Sequence, residues 1–178
     1  MRPLHLAESQ PELITGRRFK SALELTGFWR SLGFDLNYVQ MTPGELEGSV
    51  LVERASCLTL VSIKCNQSLL VQGQRNPRVV AFCLENTPQM DMHRVWGDPI
   101  PPNSLHGFCT GLTEAFFQTT PGSHLSIGLI PIEHIKSLVE LDPSGSFMEA
   151  FETSNTAVLP AADFQRIRAL LQITQPKP

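Results

Sequence analysis

The chain has 178 residues, of which 42% are hydrophobic and 17% charged, and its formal net charge is −3. This length suits one domain with a sizeable core. Because a net negative charge gives no general attraction to phosphate backbones, we do not expect these residues to hold DNA unaided. The N-terminus lacks the apolar stretch of a secretory signal, and no run of about 20 apolar residues occurs, which favours a cytoplasmic protein without a membrane segment.

The N-terminal part predicts an arm followed by one helix. Residues 1–17 are mostly polar and contain two prolines, which is typical of a loosely ordered arm. From Arg18 to Leu32 the apolar residues recur at helical spacing, and Gly33 follows where a glycine would end the helix. The apolar face of this predicted helix consists of Leu25, Phe28, Trp29 and Leu32.

The middle of the chain predicts strands. Between residues 34 and 130 the apolar residues occur in short runs separated by turn-forming residues. The runs are LNYVQM, SVLVERA, CLTLVSIK, SLLVQG, RVVAFCLE, SLHGFC, TEAFFQTT and HLSIGLI. Short gaps favour antiparallel pairing, since parallel strands need long crossovers. Eight or nine such strands predict a mainly β fold, a sandwich or a jelly-roll barrel, over residues 18–130 together with the first helix.

Beyond Ile130 the pattern returns to helical. We expect one helix beginning at Pro131, a short one over Ser146–Thr153, and a last one beginning at Pro160. Their apolar faces would be Ile132, Ile135, Leu138 and Val139, then Phe147, Ala150 and Phe151, and finally Phe164, Ile167 and Leu171. Residues 131–173 are therefore predicted to be a helical region of the same domain, and residues 174–178 a linker-like tail.

Three segments resemble the N-terminal sensing and dimerisation domain of AraC-type transcription regulators. They are YVQMTPGELEG, the strand pair ending at SLLVQG, and the helix after VLP. The resemblance covers about residues 18 to 173 and rests on turns and apolar positions rather than on reactive side chains. It implies a cupin-like jelly roll, an N-terminal helix, C-terminal α-helices that form a homodimer, and a small-molecule effector. It also implies that DNA is contacted only through a C-terminal pair of helix-turn-helix units that this chain does not contain.

The sequence predicts no enzyme and no cofactor. Phosphate-binding glycine patterns and a Gly-x-Ser-x-Gly elbow do not occur, and Asp98, Ser104 and His106 are close in sequence without the arrangement of a triad. The five histidines never form His-x-His, so we expect no metal site. The alternative is a stand-alone cupin-like enzyme that holds a metal through His106 and His124, which both fall in predicted strands.

The apolar interior is the expected place for an effector, since small molecules often bind in the mouths of β-barrels. The candidate ligand-binding residues, chosen by position, are Tyr38, Phe82, Trp96, His106, Phe108 and Phe117. The resemblance also implies that the last helix pairs two subunits. The candidate residues for that interface are Arg166, Ile167, Arg168, Leu170 and Leu171. A third interpretation is a purely structural dimerisation module, whose interior would be filled.

Overall fold

Two antiparallel β-sheets that face each other form the body of the protein. The computed structural model describes residues 12–87, 93–139 and 146–173. In chain order, the strands of these ranges are β1 (Glu12–Phe19), β2 (Asp35–Gln40), β3 (Gly48–Ala55), β4 (Leu58–Cys65), β5 (Leu69–Gln74), β6 (Val79–Glu85), β7 (Arg94–Val95), β8 (Asp98–Pro99), β9 (Ser104–His106), β10 (Glu114–Gln118), β11 (His124–Pro131) and β12 (Thr156–Val158). The helices are α1 (Ala22–Ser31), α2 (Ile132–Val139), α3 (Ser146–Thr153) and α4 (Ala161–Ile173).

The strands divide into a seven-stranded sheet, ordered β1-β3-β4-β11-β6-β9-β12, and a five-stranded sheet, ordered β2-β5-β10-β7-β8. The stretch from β4 to β11 behaves like one long ribbon folded back on itself. Within it, β4 pairs with β11, β5 with β10, β6 with β9 and β7 with β8, all antiparallel. The mainly β fold is therefore confirmed. Among the described residues the two sheets share no strand and form no closed barrel.

Helix α1 covers one end of the space between the sheets. Its N-cap Ser21 accepts a hydrogen bond from the backbone N–H of Glu24 at 3.2 Å, and Gly33 follows its C-cap with a φ of 82°. Leu25 and Trp29 are almost fully buried, which confirms the predicted apolar face. The helix thus anchors the two sheets to each other at this end.

The predicted N-terminal arm is partly wrong. Residues 12–19 form β1, which pairs with β3 in the register Phe19 with Gly48 and Thr15 with Val52. The predicted start of the helix at Arg18 is wrong for the same reason. The described side chains from Thr15 to Arg18 are exposed, because β1 is an edge strand with little to bury. Residues 1–11 of the predicted arm and residues 174–178 of the predicted tail lie outside the described ranges.

The C-terminal helices lie where the sequence predicts them. Helix α2 begins at Ile132 because Pro131 still belongs to β11, where it pairs with Val79. Ile135 of α2 and Phe151 of α3 are buried, as predicted. Among the other predicted apolar residues, the structure does not describe the side chains of Leu138, Val139, Phe147 and Ala150.

The part of the seven-stranded sheet around β6 and β9 is covered on both faces. Its inner face packs against the five-stranded sheet and α1. Its outer face packs against α2, α3 and the segment after β9, in a cluster that includes Val80, Phe108, Ile135 and Phe151. Because side chains alternate along a strand, neighbouring residues of β6 point to opposite faces: Ala81 and Cys83 inward, Val80 and Phe82 outward.

Candidate functional site: a cavity between the sheets

A cavity of about 110 Å³ lies between the two sheets. The seven-stranded sheet contributes inward-facing residues of β6, β9 and β11, and the five-stranded sheet those of β2, β5, β7 and β10. The apolar residues of its wall include Trp29, Phe34, Leu36, Val71, Val79, Ala81, Val95, Phe117, Leu125, Ile127 and Leu129. The wall is therefore mostly hydrocarbon, as in small-molecule sites generally.

His106 is the buried polar side chain of this wall. Strand β9 pairs with β6 through His106 and Cys83, which places the imidazole in the same inward-facing row as Ile127 of β11. The side chain stacks on Phe117 with ring centroids 5.0 Å apart, and the residue is only 3% exposed. Burial, with a smaller contribution from His93, lowers the pKa of His106 to about 3, so the imidazole is neutral at physiological pH. Its Nε2 atom has no hydrogen-bond partner among the described residues.

Arg75 lies at the edge of the same cavity, directly after β5. Its guanidinium donates a hydrogen bond to the carbonyl oxygen of Gly107, the residue that follows His106. Gly107 has a φ of 90°, a conformation that side-chain-bearing residues rarely adopt, and a Cβ there would meet the Cys83 sulfur at 3.1 Å. Glycine at this position thus lets the chain turn tightly against Cys83.

An aromatic pair forms the rim of the cavity. Trp96, in the turn between β7 and β8, is 46% exposed, and Phe116 of β10 is 37% exposed. Their ring centroids are 5.9 Å apart, and the backbone N–H of Trp96 donates to the carbonyl of Phe116 at 3.0 Å. Trp96 has a φ of 54°, which is uncommon for a bulky residue. Both side chains therefore lie between the cavity and solvent.

Three of the six predicted ligand-binding residues line the cavity: Trp96, His106 and Phe117. The predicted interior location is wrong for Phe82 and Phe108, whereas the third residue, Tyr38, is interior but lies beside the cavity. Tyr38 packs against the core beside the cavity without lining it, and burial raises the pKa of its hydroxyl well above the ordinary value. Phe82 and Phe108 lie on the outer face, where their rings stack 5.8 Å apart.

Sequence reasoning missed Arg75 and Cys83. Arg75 stands in a polar turn and therefore looks like a solvated residue, while Cys83 lies in a strand that is apolar on both faces. Burial raises the pKa of Cys83 to about 12, against an opposing contribution from Arg75, so its thiol stays protonated. A protonated thiol lines the wall as an apolar group and is a poor nucleophile.

A second polar cluster is fully enclosed beside the cavity. The carboxylate of Glu85 accepts a hydrogen bond from Ser123 Oγ at 3.0 Å and lies 3.4 Å from His93 Nδ1, while His93 Nε2 lies 2.9 Å from Thr120 Oγ1. This order of hydroxyl, imidazole and carboxylate is that of a catalytic triad. However, Thr120 and His93 are buried and do not line the cavity described above. The cluster therefore connects the end of β6, the residue before β7 and the turn between β10 and β11.

The two histidines of the metal-enzyme alternative do not meet. His106 faces the cavity, whereas His124 precedes the inward-facing Leu125 and so lies on the other face of β11, where its Nε2 is 3.0 Å from Ser62 Oγ. No group of three potential metal ligands occurs within the described ranges. Asp98 and Ser104, which are close to His106 in sequence, do not form a triad with it. Ser104 donates a hydrogen bond to the carbonyl of Pro101, and Asp98 is exposed.

Helix α4 presents one packed side and one free side. Phe164 is buried, and Arg168 donates a hydrogen bond to the carbonyl of Asn86 at 3.2 Å. Leu170 is 65% exposed, and Arg166 is exposed beside Asp163. The remaining interface candidates, Ile167 and Leu171, are partly buried. Arg168 thus attaches α4 to the end of β6, while Leu170 points away from the body.

None of the helices in the described ranges is both long enough and apolar enough to cross a lipid bilayer. Comparison of the chain with protein-family models, with curated proteins and with solved structures gave no match.

Proposed function

We propose that this chain is the effector-sensing and dimerisation domain of a cytoplasmic AraC-type transcription regulator, and that helix-turn-helix units outside these residues contact the DNA. The observation that carries the proposal is the apolar cavity between the sheets, in whose wall the Nε2 of His106 finds no hydrogen-bond partner among the described residues. A module with only a structural role would gain stability by filling this space, since protein interiors are normally close-packed.

The strand order supports a cupin-like jelly roll as the body of the domain. In a jelly roll, eight strands form a long double ribbon that rolls up into two facing sheets. The neighbours β4-β11-β6-β9 in one sheet and β5-β10-β7-β8 in the other follow that order. Strands β1, β2, β3 and β12 extend the two sheets at their edges.

Strand β6 gives a physical route from the cavity to α4. Ala81 and Cys83 line the cavity, Glu85 at the end of the strand lies in the enclosed polar cluster, and the next residue, Asn86, accepts the hydrogen bond from Arg168. A ligand that shifts β6 would also shift this contact. Sensing requires that the ligand bind two arrangements of α4 with different affinity.

The free side of α4 supports a homodimer. Leu170 is an exposed apolar side chain, and Arg166 could extend the polar rim of a two-fold contact around it. In that arrangement α4 carries both the contact of Arg168 with Asn86, which a ligand would shift, and the contact between the subunits. A change in the cavity would then alter the spacing or orientation of two DNA-binding units.

Thermal unfolding with a library of small metabolites tests the sensing role. A ligand at about 100 times its Kd should stabilise the fold by about 2.7 kcal/mol, which raises the unfolding temperature by roughly 5 to 10 °C for a chain of this size. The Arg168→Ala variant should still bind such a ligand but lose its effect on dimerisation, measured by sedimentation. A library without any stabilising compound would contradict the sensing role.

The gene itself tests the regulator assignment. We expect it to continue beyond codon 178 for about 100 codons that encode two helix-turn-helix units with basic recognition helices. A stop codon directly after codon 178 would contradict the assignment.

A further inference from the structure

The cavity holds a positive charge that the described residues do not neutralise. Arg75 is half-buried, and a guanidinium keeps its proton under all physiological conditions. Its one described side-chain hydrogen bond goes to an uncharged group, the carbonyl of Gly107. No carboxylate of the described ranges forms an ion pair with it. A half-buried cation without an anionic partner has lost part of its hydration with no charge to replace it, so the site favours an anion from outside.

The electrostatics of the neighbours agree with this. Burial lowers the pKa of the Arg75 guanidinium, and no carboxylate is among the described groups that oppose this effect. Glu114 also lines the cavity, but its described partner is the side-chain amide of Gln74 at 3.3 Å. The guanidinium therefore has donors available for a ligand.

His106 adds a second polar group close to Arg75. Arg75 binds the carbonyl of Gly107, and Gly107 follows His106 directly in the chain. The Nε2 atom of His106 has no hydrogen-bond partner in the part of the chain that the structure describes, and it belongs to a side chain buried in the cavity wall. Being neutral, the imidazole can donate or accept one hydrogen bond at this atom without adding charge.

The rest of the wall sets the size and character of the ligand. Val71, Ala81 and Ile127 are hydrocarbon surfaces from three strands of the two sheets. A volume of about 110 Å³ is comparable with that of an engineered apolar cavity of ~150 Å³ that accommodates benzene. The apolar part of a ligand is therefore limited to one ring or a short chain.

We propose that the cavity binds a small apolar monocarboxylate, with the carboxylate on the guanidinium of Arg75 and accepting a hydrogen bond from Nε2–H of His106, and the ring or chain between the two sheets. This inference rests on the proposed sensing function and names the chemical class of its ligand. Arginine suits this role because its planar fork can donate two parallel hydrogen bonds to a carboxylate.

Calorimetric titration with matched acids and amides tests the proposal. The probes are cyclohexanecarboxylate and hexanoate, each compared with its neutral amide, at pH 7.5 and low salt. Each pair has nearly the same shape and differs in charge. We expect at least one acid to bind the wild-type protein about 10- to 100-fold more tightly than its amide, the usual range for a charge-assisted hydrogen bond.

Two arginine variants test whether Arg75 causes the preference for the acid over its amide. Arg75→Gln should remove the preference for the acid, while Arg78→Gln, an exposed arginine of the same turn that does not line the cavity, should leave it unchanged. If Arg75→Gln does not fold, Arg75→Lys takes its place. It keeps the charge, loses the fork, and should reduce the preference only partly.

The outcomes separate this inference from the proposed function. If an amide binds as tightly as its acid, or if Arg75→Gln keeps the preference, the carboxylate class is wrong while the cavity still binds small molecules. If no acid and no amide binds, the carboxylate inference is overturned, and the metabolite library then decides the sensing role separately.

Discussion

The two faces of the seven-stranded sheet use similar residues with different results. On the outer face, Phe82, Phe108 and Phe151 fill the space against the helices, with ring centroids 5.5 to 5.8 Å apart. On the inner face, Phe117 and His106 stack at 5.0 Å and leave a cavity beside them. Aromatic rings thus close one face and line an opening on the other. The difference leaves room for a small molecule at the inner face, whereas the outer face is filled by the rings that stabilise it.

The largest expected loss of stability comes from a substitution in the packed outer face. Phe151→Ala removes a ring that contacts both Phe82 and Phe108, and we expect a loss of about 3 to 4 kcal/mol in the free energy of unfolding, measured by urea denaturation. The matched control, Phe116→Ala at the exposed rim, should cost less than about 1 kcal/mol. Equal losses for the two variants would contradict the distinction between the faces.

The next largest effect is on the pH dependence of stability, which His106 on the inner face should cause. In the unfolded chain this histidine takes up a proton near its ordinary pKa of 6.5, whereas in the folded protein the pKa is about 3. The unfolded state therefore binds more protons between these values, and stability falls as the pH falls below about 6.5. The free energy of unfolding keeps its full value at pH 7. By pH 4.5, protonation of His106 in the unfolded chain should lower it by about 2 to 3 kcal/mol.

Variants isolate the contribution of His106 from those of other groups. In His106→Phe, the difference in unfolding free energy between pH 7 and pH 4.5 should be smaller than in the wild type by about 2 to 3 kcal/mol. The control His134→Phe changes an exposed histidine on α2 and should leave the difference as in the wild type. An unchanged pH profile in His106→Phe would show that the residue is not buried as a neutral imidazole.

Neighbouring residues of β6 provide a finer comparison of the faces. Val80 is 1% exposed in the packed outer cluster, so Val80→Ile should overpack it and cost about 1 to 2 kcal/mol. Ala81 lines the cavity, so the added methyl groups of Ala81→Val have room and should change stability by less than about 0.5 kcal/mol. Unfolding curves of both variants measure this. A larger loss for Ala81→Val than for Val80→Ile would argue that the cavity is closed in solution.

The smallest effect on stability concerns α4. Because Leu170 is largely exposed, Leu170→Asp should change the unfolding free energy of the subunit by less than about 0.5 kcal/mol while shifting the protein from dimer to monomer in sedimentation. Leu23 on α1 is 74% exposed and lies outside the proposed interface. Leu23→Asp should therefore leave the dimer intact. A dimer that survives Leu170→Asp would place the subunit contact elsewhere.

Most strands and all four helices of the described ranges could be predicted from the sequence because their patterns are local. Residues 79–85 and 124–130 are rich in β-branched and apolar residues between turns, and Gly33 ends α1 as expected. Strand β1 was missed because an edge strand with exposed, charged side chains shows no buried face. Strands β7, β8 and β12 are not predicted because each has only two or three residues and exists only through pairing, β7 with β10, β8 with β7 and β12 with β9.

The candidate site was predictable only in part, because the cavity depends on contacts between distant strands. In β6 both faces are apolar, so periodicity shows that Phe82 and Cys83 point in opposite directions without showing which direction faces the cavity. This explains the choice of Phe82 instead of Cys83. Arg75 comes into the site through a carbonyl 32 residues away in the chain, which a polar turn does not reveal.

The most direct test of the central claim is amide NMR of the protein under xenon pressure, since xenon enters empty apolar cavities without needing polar contacts. We predict the largest shifts at the cavity wall, at the amides of Ala81, His106 and Phe117, and no comparable shifts at Phe108 and Phe151 on the outer face. Absence of shifts at the wall, or equal shifts on both faces, would contradict an open cavity between the sheets and with it the sensing role.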